Sequence, residues 1–182
     1  MAEQPPILKV ARAIDRVTDA TGYILALLVA PLILANAWEV TARYLFRAPT
    51  TWATDVTVMS SSTIFMVGAA YALLKGAHIR TDLFWDRFSD RTKGWIDAVA
   101  YLFLFLPAMA ILFAISVDDA VYAYQIGETS QLGLWRPVIW PFRSVVPLAA
   151  ALLFLQGVSE LLKSAWTART GVLLVQHEKI EI

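Results

Sequence analysis

The chain has 182 residues, 58% of them apolar and 16% charged, with a mean hydropathy of +0.59. Fifteen Lys and Arg balance fifteen Asp and Glu, and no basic block marks a nucleic-acid surface. So apolar a composition excludes an ordinary soluble domain, and the lack of cysteine excludes disulfides, thiolate metal sites and cysteine nucleophiles.

The apolar residues cluster in runs free of Asp, Glu, Lys and Arg, at 20–38, 56–74, 98–117 and 144–159. As helices the first three are each about 28–30 Å long, the thickness of a bilayer's hydrocarbon core. The fourth is shorter, and Val138, Ile139, Trp140 and Phe142 extend it on one side, Leu161 and Leu162 on the other. The expected fold is therefore all-α integral membrane: four transmembrane helices near 21–46, 52–75, 95–126 and 139–164, plus amphipathic interfacial helices. Lys9, Arg12, Arg16, Lys75, Arg80, Arg87, Arg91, Lys93, Lys163, Arg169 and Lys179 fall on one side, and only Arg43, Arg47, Arg136 and Arg143 on the other. Eleven against four places both termini in the cytoplasm by the positive-inside rule.

Residues 1–20 carry Ile7, Val10, Ile14 and Val17 at helical spacing among Lys9, Arg12, Asp15, Arg16 and Asp19. That pattern predicts an interfacial helix on the inner leaflet. With Glu3, Asp15 and Asp19 and no compact apolar core before a cleavage site, the segment does not read as a secretory signal, and span one is expected to stay in the mature protein.

In span one, Pro31 removes a backbone hydrogen bond and should bend the helix. Asn36 is its one strongly polar side chain, and in lipid such an amide hydrogen-bonds across to a neighbouring helix for about 0.6–2 kcal/mol. Glu39 and Arg43, acid before base at four residues, are expected to pair at the outer interface beside Tyr44. Pro49 then breaks the helix, Thr50 and Thr51 suit an N-cap, and Trp52 suits headgroup depth. Asp55 lies in the first turn of span two, and with Arg43 and Arg47 in the same turn region an interfacial ion pair is the expectation, ahead of a proton carrier.

Span two carries Ser60, Ser61, Ser62 and Thr63, then Gly68, Ala69, Ala70 and Ala72, small residues that let helix backbones approach closely. Ser61, Gly68 and Ala72 are the candidates on that packing face. Gly76 is the expected breaker at its inner end. Beyond it, Ile79, Leu83, Phe84 and Phe88 interleave with Arg80, Asp82, Asp86, Arg87, Asp90 and Arg91, predicting an inner-surface helix over 79–92. His78 has only His177 for company and is read as an interfacial hydrogen-bonding group.

Span three contains Pro107 as a kink and continues through Asp118, Asp119, Tyr122 and Tyr124 to Gly127. Two carboxylates fall far short of the six to eight oxygens that calcium takes, so a solvated or arginine-paired outer rim is expected. The loop from Glu128 to Pro141 presents Trp135 and Trp140 to an aromatic belt. Span four begins near Arg143, carries Pro147 in its first turns, presents Gln156, and can pair Glu160 with Lys163 at its inner end. No function is assigned to the tail, 166–182.

The four runs hold no ionisable side chain and no histidine, although such groups are what usually marks an ion or proton path in a membrane. Haem-ligating histidines, a phosphate-binding glycine loop, a metal-ligand cluster and a Ser/His/Asp set are all missing, so no catalytic, cofactor or metal site is expected and the chain does not read as an enzyme. Nor are there paired Gly/Pro-interrupted half-helices, the usual pointer to a secondary-transport site. Four such spans fit a scaffold better than a complete coupled transporter. The alternative is an autonomous oligomeric transporter or channel, with Asn36, Ser60 to Thr63 and Gln156 lining a polar path.

The segments ARYLFRAPTTWATD, GAAYALLKGAHIRTD and ETSQLGLWRPVIWPFRSVVPLAAALLFLQG resemble the small, Q-type (DctQ-like) membrane subunit of tripartite ATP-independent periplasmic (TRAP) transporters. Arg43, Tyr44, Pro49, Trp52, Gly68, Ala69, Ala70, Gly76, His78, Ile79 and Asp82 match that family's pattern, as do Trp140, Pro141, Pro147, Leu155 and Gln156. The resemblance covers about 10–165. One departure is Ala53-Thr54-Asp55, a single carboxylate where the family often has two after the turn tryptophan. The resemblance implies a four-helix scaffold in the bacterial inner membrane. It would bind a large M-type membrane subunit that carries a small organic acid with sodium by an elevator movement, the solute arriving on a periplasmic binding protein. Membrane lipids are the other expected contact.

Overall fold

In lipid the backbone has no hydrogen-bond partner but itself, so each long apolar run must close its own hydrogen bonds as a helix. The computed structural model describes residues 6–76 and 88–171. Their elements are α1 (Pro6–Tyr44), α2 (Ala53–Leu74), α3 (Asp90–Ala100), a π-helical turn (Tyr101–Phe105), α4 (Leu106–Gln125), the short α5 (Trp140–Arg143) and α6 (Val145–Thr170). Four segments, Leu8–Tyr44, Ala53–Leu74, Asp90–Gln125 and Trp140–Thr170, are long and apolar enough to cross a membrane. Among the described residues the fold is all-helical, relieved only by an isolated bridge between Thr129 and Val138.

Prolines set the irregularities. Pro107 cannot supply an N–H and crowds the carbonyl one turn back; the π-turn directly before it widens the helix there, so α3 and α4 run on as one span. Pro147 would have to donate to the carbonyl of Arg143, and the helix is interrupted at that level, with Ser144 in a turn between α5 and α6. Pro31, by contrast, lies inside an unbroken α1 of 39 residues, about 58 Å long. The described residues of the expected interfacial segment belong to this same helix: no proline intervenes before Pro31, and its polar side is held against α6.

Contacts between ends fix the up-and-down order. Asp19 meets Lys75 at 2.9 Å, Asp15 meets Lys163 at 2.8 Å, and Arg91 donates to the Arg169 carbonyl at 3.4 Å at one end. Glu39 meets Thr50, Ser130 meets Asp55, and Arg143 meets Asp119 at 2.6 Å at the other. Pro6 and Gly171 therefore lie on the same side.

The last span, the shortest run in the sequence, is the hub. In its most apolar window 44% of residues are buried within the chain, against 6–17% for the other three spans. α1 and α2 pack on each other and on α6, whereas α3, the π-turn and α4 pack chiefly on α6, with α4 also meeting the short α5. Leu25, Val67, Ala70, Ala149 and Leu152 form the shared core of α1, α2 and α6. Small residues on α6 allow close crossings. A Cβ on Gly157 would lie 2.6 Å from Phe105 Cε1, and one on Gly94 of α3 would lie 2.5 Å from the Ala168 nitrogen.

Gly22 does the same for α1, since a Cβ there would come within 2.6 Å of Tyr71 Cε2. Gly68, on the face expected to be packed most tightly, would meet only Leu25 Cδ1 at 3.9 Å. Gly22→Ala must push the Tyr71 ring aside and is expected to destabilise the purified chain by about 1–3 kcal/mol, with Gly68→Ala near neutral, in paired thermal melts. Equal midpoints for the two variants would contradict this packing.

Candidate functional site

Two polar clusters lie at opposite ends of the span bundle, with apolar helix between them. Twenty residues separate Arg143 from Lys163 and twenty separate Asp55 from Lys75, each about 30 Å along a helix. The clusters thus bracket one hydrocarbon thickness.

At the outer end, Glu39 accepts from Arg43 Nε at 2.9 Å and from the Thr50 backbone N–H at 2.9 Å, and also meets Arg43 Nη2 and the Thr50 hydroxyl. The expected helix pair is present, with an addition: its carboxylate ties down the α1–α2 turn. Thr50 is thereby occupied, and α2 begins at Ala53, with Trp52 at the cap position offering no side-chain hydrogen bond. Asp55 departs from the expected pairing with Arg43 and Arg47. It is fully buried, Oδ1 accepts from the Ser130 hydroxyl, and Oδ2 has no partner. The reason is the loop from Gly127 to Ile139, which folds over the start of α2 through Ser130 N to the Pro137 carbonyl at 2.8 Å and Ile139 N to the Glu128 carbonyl at 2.9 Å. Asp119 is arginine-paired as expected, and Arg143 also reaches Glu128 at 3.0 Å. Trp140 packs edge-on to Tyr124 at 5.5 Å.

At the inner end, Asp15 of α1 enters a cluster built on α6. Its carboxylate accepts from Gln156 Nε2 at 3.0 Å, the Ser159 hydroxyl at 2.7 Å and Lys163 Nζ at 3.0 Å. Glu160 accepts from the same Gln156 nitrogen at 3.1 Å and the same Lys163 at 2.8 Å, while Ser159 also reaches the Ala11 carbonyl. The predicted Glu160–Lys163 pair is therefore half of a larger network. Lys163 and Glu160 are about nine-tenths buried, with side chains 12% and 11% exposed, and Gln156 is fully buried. Nearby, Lys75 pairs with Asp19 and lies 5.0 Å from the Tyr71 ring centroid; hydrogen bonding to Asp19 raises the Lys75 ammonium above its ordinary pKa.

The remaining candidates are placed as follows. Tyr44 and Trp135 are exposed, Trp52 is half-buried, and Pro147 is buried at the start of α6. Ser61 is exposed and turns its hydroxyl back to the Thr57 carbonyl at 2.7 Å; Gly68 and Ala72 are half-buried. Asn36 donates to the Leu32 carbonyl at 2.8 Å and accepts from Thr57 at 3.3 Å, the expected reach across to the neighbouring helix. Gln156 faces α1, so Asn36, Ser61 and Gln156 are each engaged within the chain at different depths. His78, Arg80 and Asp82, with most of the inner-surface helix expected over 79–92, lie outside the described residues. Its end is described: Ser89 N-caps α3 by accepting from the Thr92 N–H at 3.4 Å.

What these clusters can do is hold helices together. Among the described residues no group of three or more His, Asp or Glu could hold a metal ion. The inner network joins two carboxylates, an ammonium, an amide and a hydroxyl into a lock between α1 and α6. Sequence reasoning missed its Asp15 half because a carboxylate on an amphipathic helix reads as a solvated face.

The family model for the DctQ component of tripartite ATP-independent periplasmic transporters matches residues 32–166, well over half of the chain. That region includes the outer cluster and the α6 half of the inner one and leaves Asp15 outside. No curated protein and no solved structure matches the chain.

Proposed function

The chain belongs to the family of DctQ components of tripartite ATP-independent periplasmic transporters, and from that premise we propose that it is a non-catalytic scaffold. As a small permease subunit it binds the large membrane subunit and braces it during sodium-coupled uptake of a small organic acid, which a periplasmic binding protein delivers. The family membership carries this reading. Two features support it: no ionisable group lies at mid-depth in the spans, and three of the four spans leave most of their apolar surface uncovered by their own chain. Helices tied at their rims and bare between them suit a subunit that is covered by another.

Reconstitution tests the proposal. Liposomes holding this chain alone should take up no solute, and adding the large subunit and the binding protein should give sodium-dependent uptake. Uptake by the chain alone would overturn the scaffold reading.

The family membership supports a bacterial inner-membrane location, and the charge sorting supports both termini in the cytoplasm. Because the chain has no cysteine, single replacements report cleanly. Arg136→Cys should react with an impermeant maleimide on intact spheroplasts, and Lys9→Cys only after permeabilisation. The opposite order would invert the topology.

A further inference from the structure

At its inner end α1 carries more positive charge than the chain itself neutralises. Asp15 is committed to Lys163, Ser159 and Gln156, and Asp19 to Lys75. Lys9, Arg12 and Arg16 are exposed and meet no carboxylate among the described residues; Arg12 Nε donates to the Leu8 carbonyl at 3.3 Å. Lys9, Ala13 and Arg16 follow one another at spacings of four and three, and so share one face of the helix.

That face forms the edge of a groove. Ala13, Ile14, Val17 and Thr18 of α1 and Leu152 and Leu155 of α6 line a cavity of about 200 Å³. Leu155 and Leu152 lie eight and eleven residues before Lys163 in α6, about 12 and 16 Å nearer mid-membrane, so this wall belongs to the hydrocarbon layer. Arg16 adjoins Asp15 of the ionic lock, and Lys9 lies about 9 Å further toward the aqueous side. Exposed Val10 continues the apolar stripe of Ile14 and Val17 in that direction. Thr18 is the one polar side chain in the lining. It is fully buried and its hydroxyl has no hydrogen-bond partner, which is costly away from water.

We propose that this groove binds an anionic phospholipid of the inner leaflet. Its phosphate is held by Lys9 and Arg16, an ester carbonyl accepts from the Thr18 hydroxyl, and one acyl chain lies against Ile14, Val17, Leu152 and Leu155. A partner helix is about 10–12 Å across and too wide for such a cavity, whereas a single hydrocarbon chain enters it. Lysine and arginine lay their stems on apolar surface and keep their charges at headgroup depth, where an anionic lipid is attracted to them. The bound lipid bridges α1 and α6 beside their ionic lock and helps to hold the first helix on the last. The inference rests on the topology proposed above and is independent of the large subunit.

The test uses the full chain purified in a neutral detergent, with phosphatidylglycerol and phosphatidylcholine of the same acyl chains as probes, read by native mass spectrometry and thermal melts. One phosphatidylglycerol should be retained per chain and should raise the thermal midpoint, with phosphatidylcholine bound about tenfold more weakly and inorganic phosphate giving no shift. Lys9→Gln/Arg16→Gln should weaken phosphatidylglycerol binding about tenfold and leave the lipid-free midpoint unchanged, because neither charge is paired within the described chain. Lys9→Arg/Arg16→Lys should retain the binding. Thr18→Val keeps the shape and removes the hydroxyl, so the lipid-free midpoint should hold or rise while the shift caused by phosphatidylglycerol shrinks. Equal retention of the two lipids, or a glutamine variant that binds phosphatidylglycerol as the unmodified chain does, would overturn the site. So would a full shift with inorganic phosphate alone, or an undiminished lipid shift in Thr18→Val.

Discussion

Lys163→Met is expected to destabilise the chain by about 3–5 kcal/mol. It removes the ammonium that Asp15 and Glu160 share and leaves two carboxylates facing one amide nitrogen with little access to water. Like charges so placed repel, and neither can be resolvated without lifting α1 from α6. Replacing all three ionisable groups, with Asp15→Leu, Glu160→Leu and Lys163→Met together, should recover much of the loss, because a buried ionic network often does little better than apolar residues of similar size. Thermal or denaturant unfolding of the purified variants measures both. If Lys163→Met cost less than about 1 kcal/mol, the usual worth of a solvated ion pair, the network would have to be solvent-exposed.

The second large effect is expected at Gly94. Its missing Cβ position lies 2.5 Å from the Ala168 nitrogen, 2.9 Å from the Ala168 Cα and 2.9 Å from the Ser164 carbonyl oxygen. These are backbone atoms of the central helix and cannot swing aside as the Tyr71 ring can. Gly94→Ala should therefore part α3 from α6 and cost about 3 kcal/mol, and Gly94→Leu should abolish the folded subunit. The loss should appear as a drop in yield of monodisperse protein and in thermal midpoint. Gly68→Leu offers the contrast: a Cβ on Gly68 would meet only Leu25 Cδ1, at 3.9 Å, so the isolated chain should tolerate it, and any damage should appear only when the large subunit is added. Full stability of Gly94→Leu would contradict the α3–α6 crossing.

Much of the fold is legible in the sequence because lipid imposes it. Uncharged runs of bilayer length give the spans, and glycine after the last apolar turn marks one expected end: Gly76 does end α2, at φ 68°. The last helix runs past its expected end near 164 to Thr170, where Gly171 at φ 73° stops it. Contacts within a turn or two are legible as well, such as Glu39 with Arg43 and Glu160 with Lys163. Pairings between distant segments are not. Asp15 finds Ser159 across 144 positions, and Asp55 finds Ser130 across 75, and nothing in local spacing distinguishes these carboxylates from solvated ones. Asp55 is instructive: with two arginines close in sequence the local reading favours an ion pair, but the hairpin closing over α2 excludes water and supplies a hydroxyl. Glycine shows the same limit. Gly68 stands in a conspicuous run of small residues, yet the isolated glycines Gly22, Gly94 and Gly157 sit at the close crossings, because a crossing needs one small residue at the right height and not a stretch of them.

The prominence of α6 has a related cause. Its uncharged run is the shortest because Glu160 and Lys163 interrupt the apolar pattern, and they do so where the helix is buried by its own chain instead of by lipid. A short run can thus mark the helix with the most protein around it. The bare faces are those of α1, α2 and α3–α4, and the proposed partner would have to cover one or more of them.

The most direct test is affinity purification of this chain, tagged at its C-terminus, from the membranes that contain it, with the mass of the particle measured. A scaffold subunit predicts that one much larger multi-span membrane protein co-purifies in a fixed one-to-one ratio. A chain that purifies free of any such partner, or as an oligomer of itself, would contradict the account.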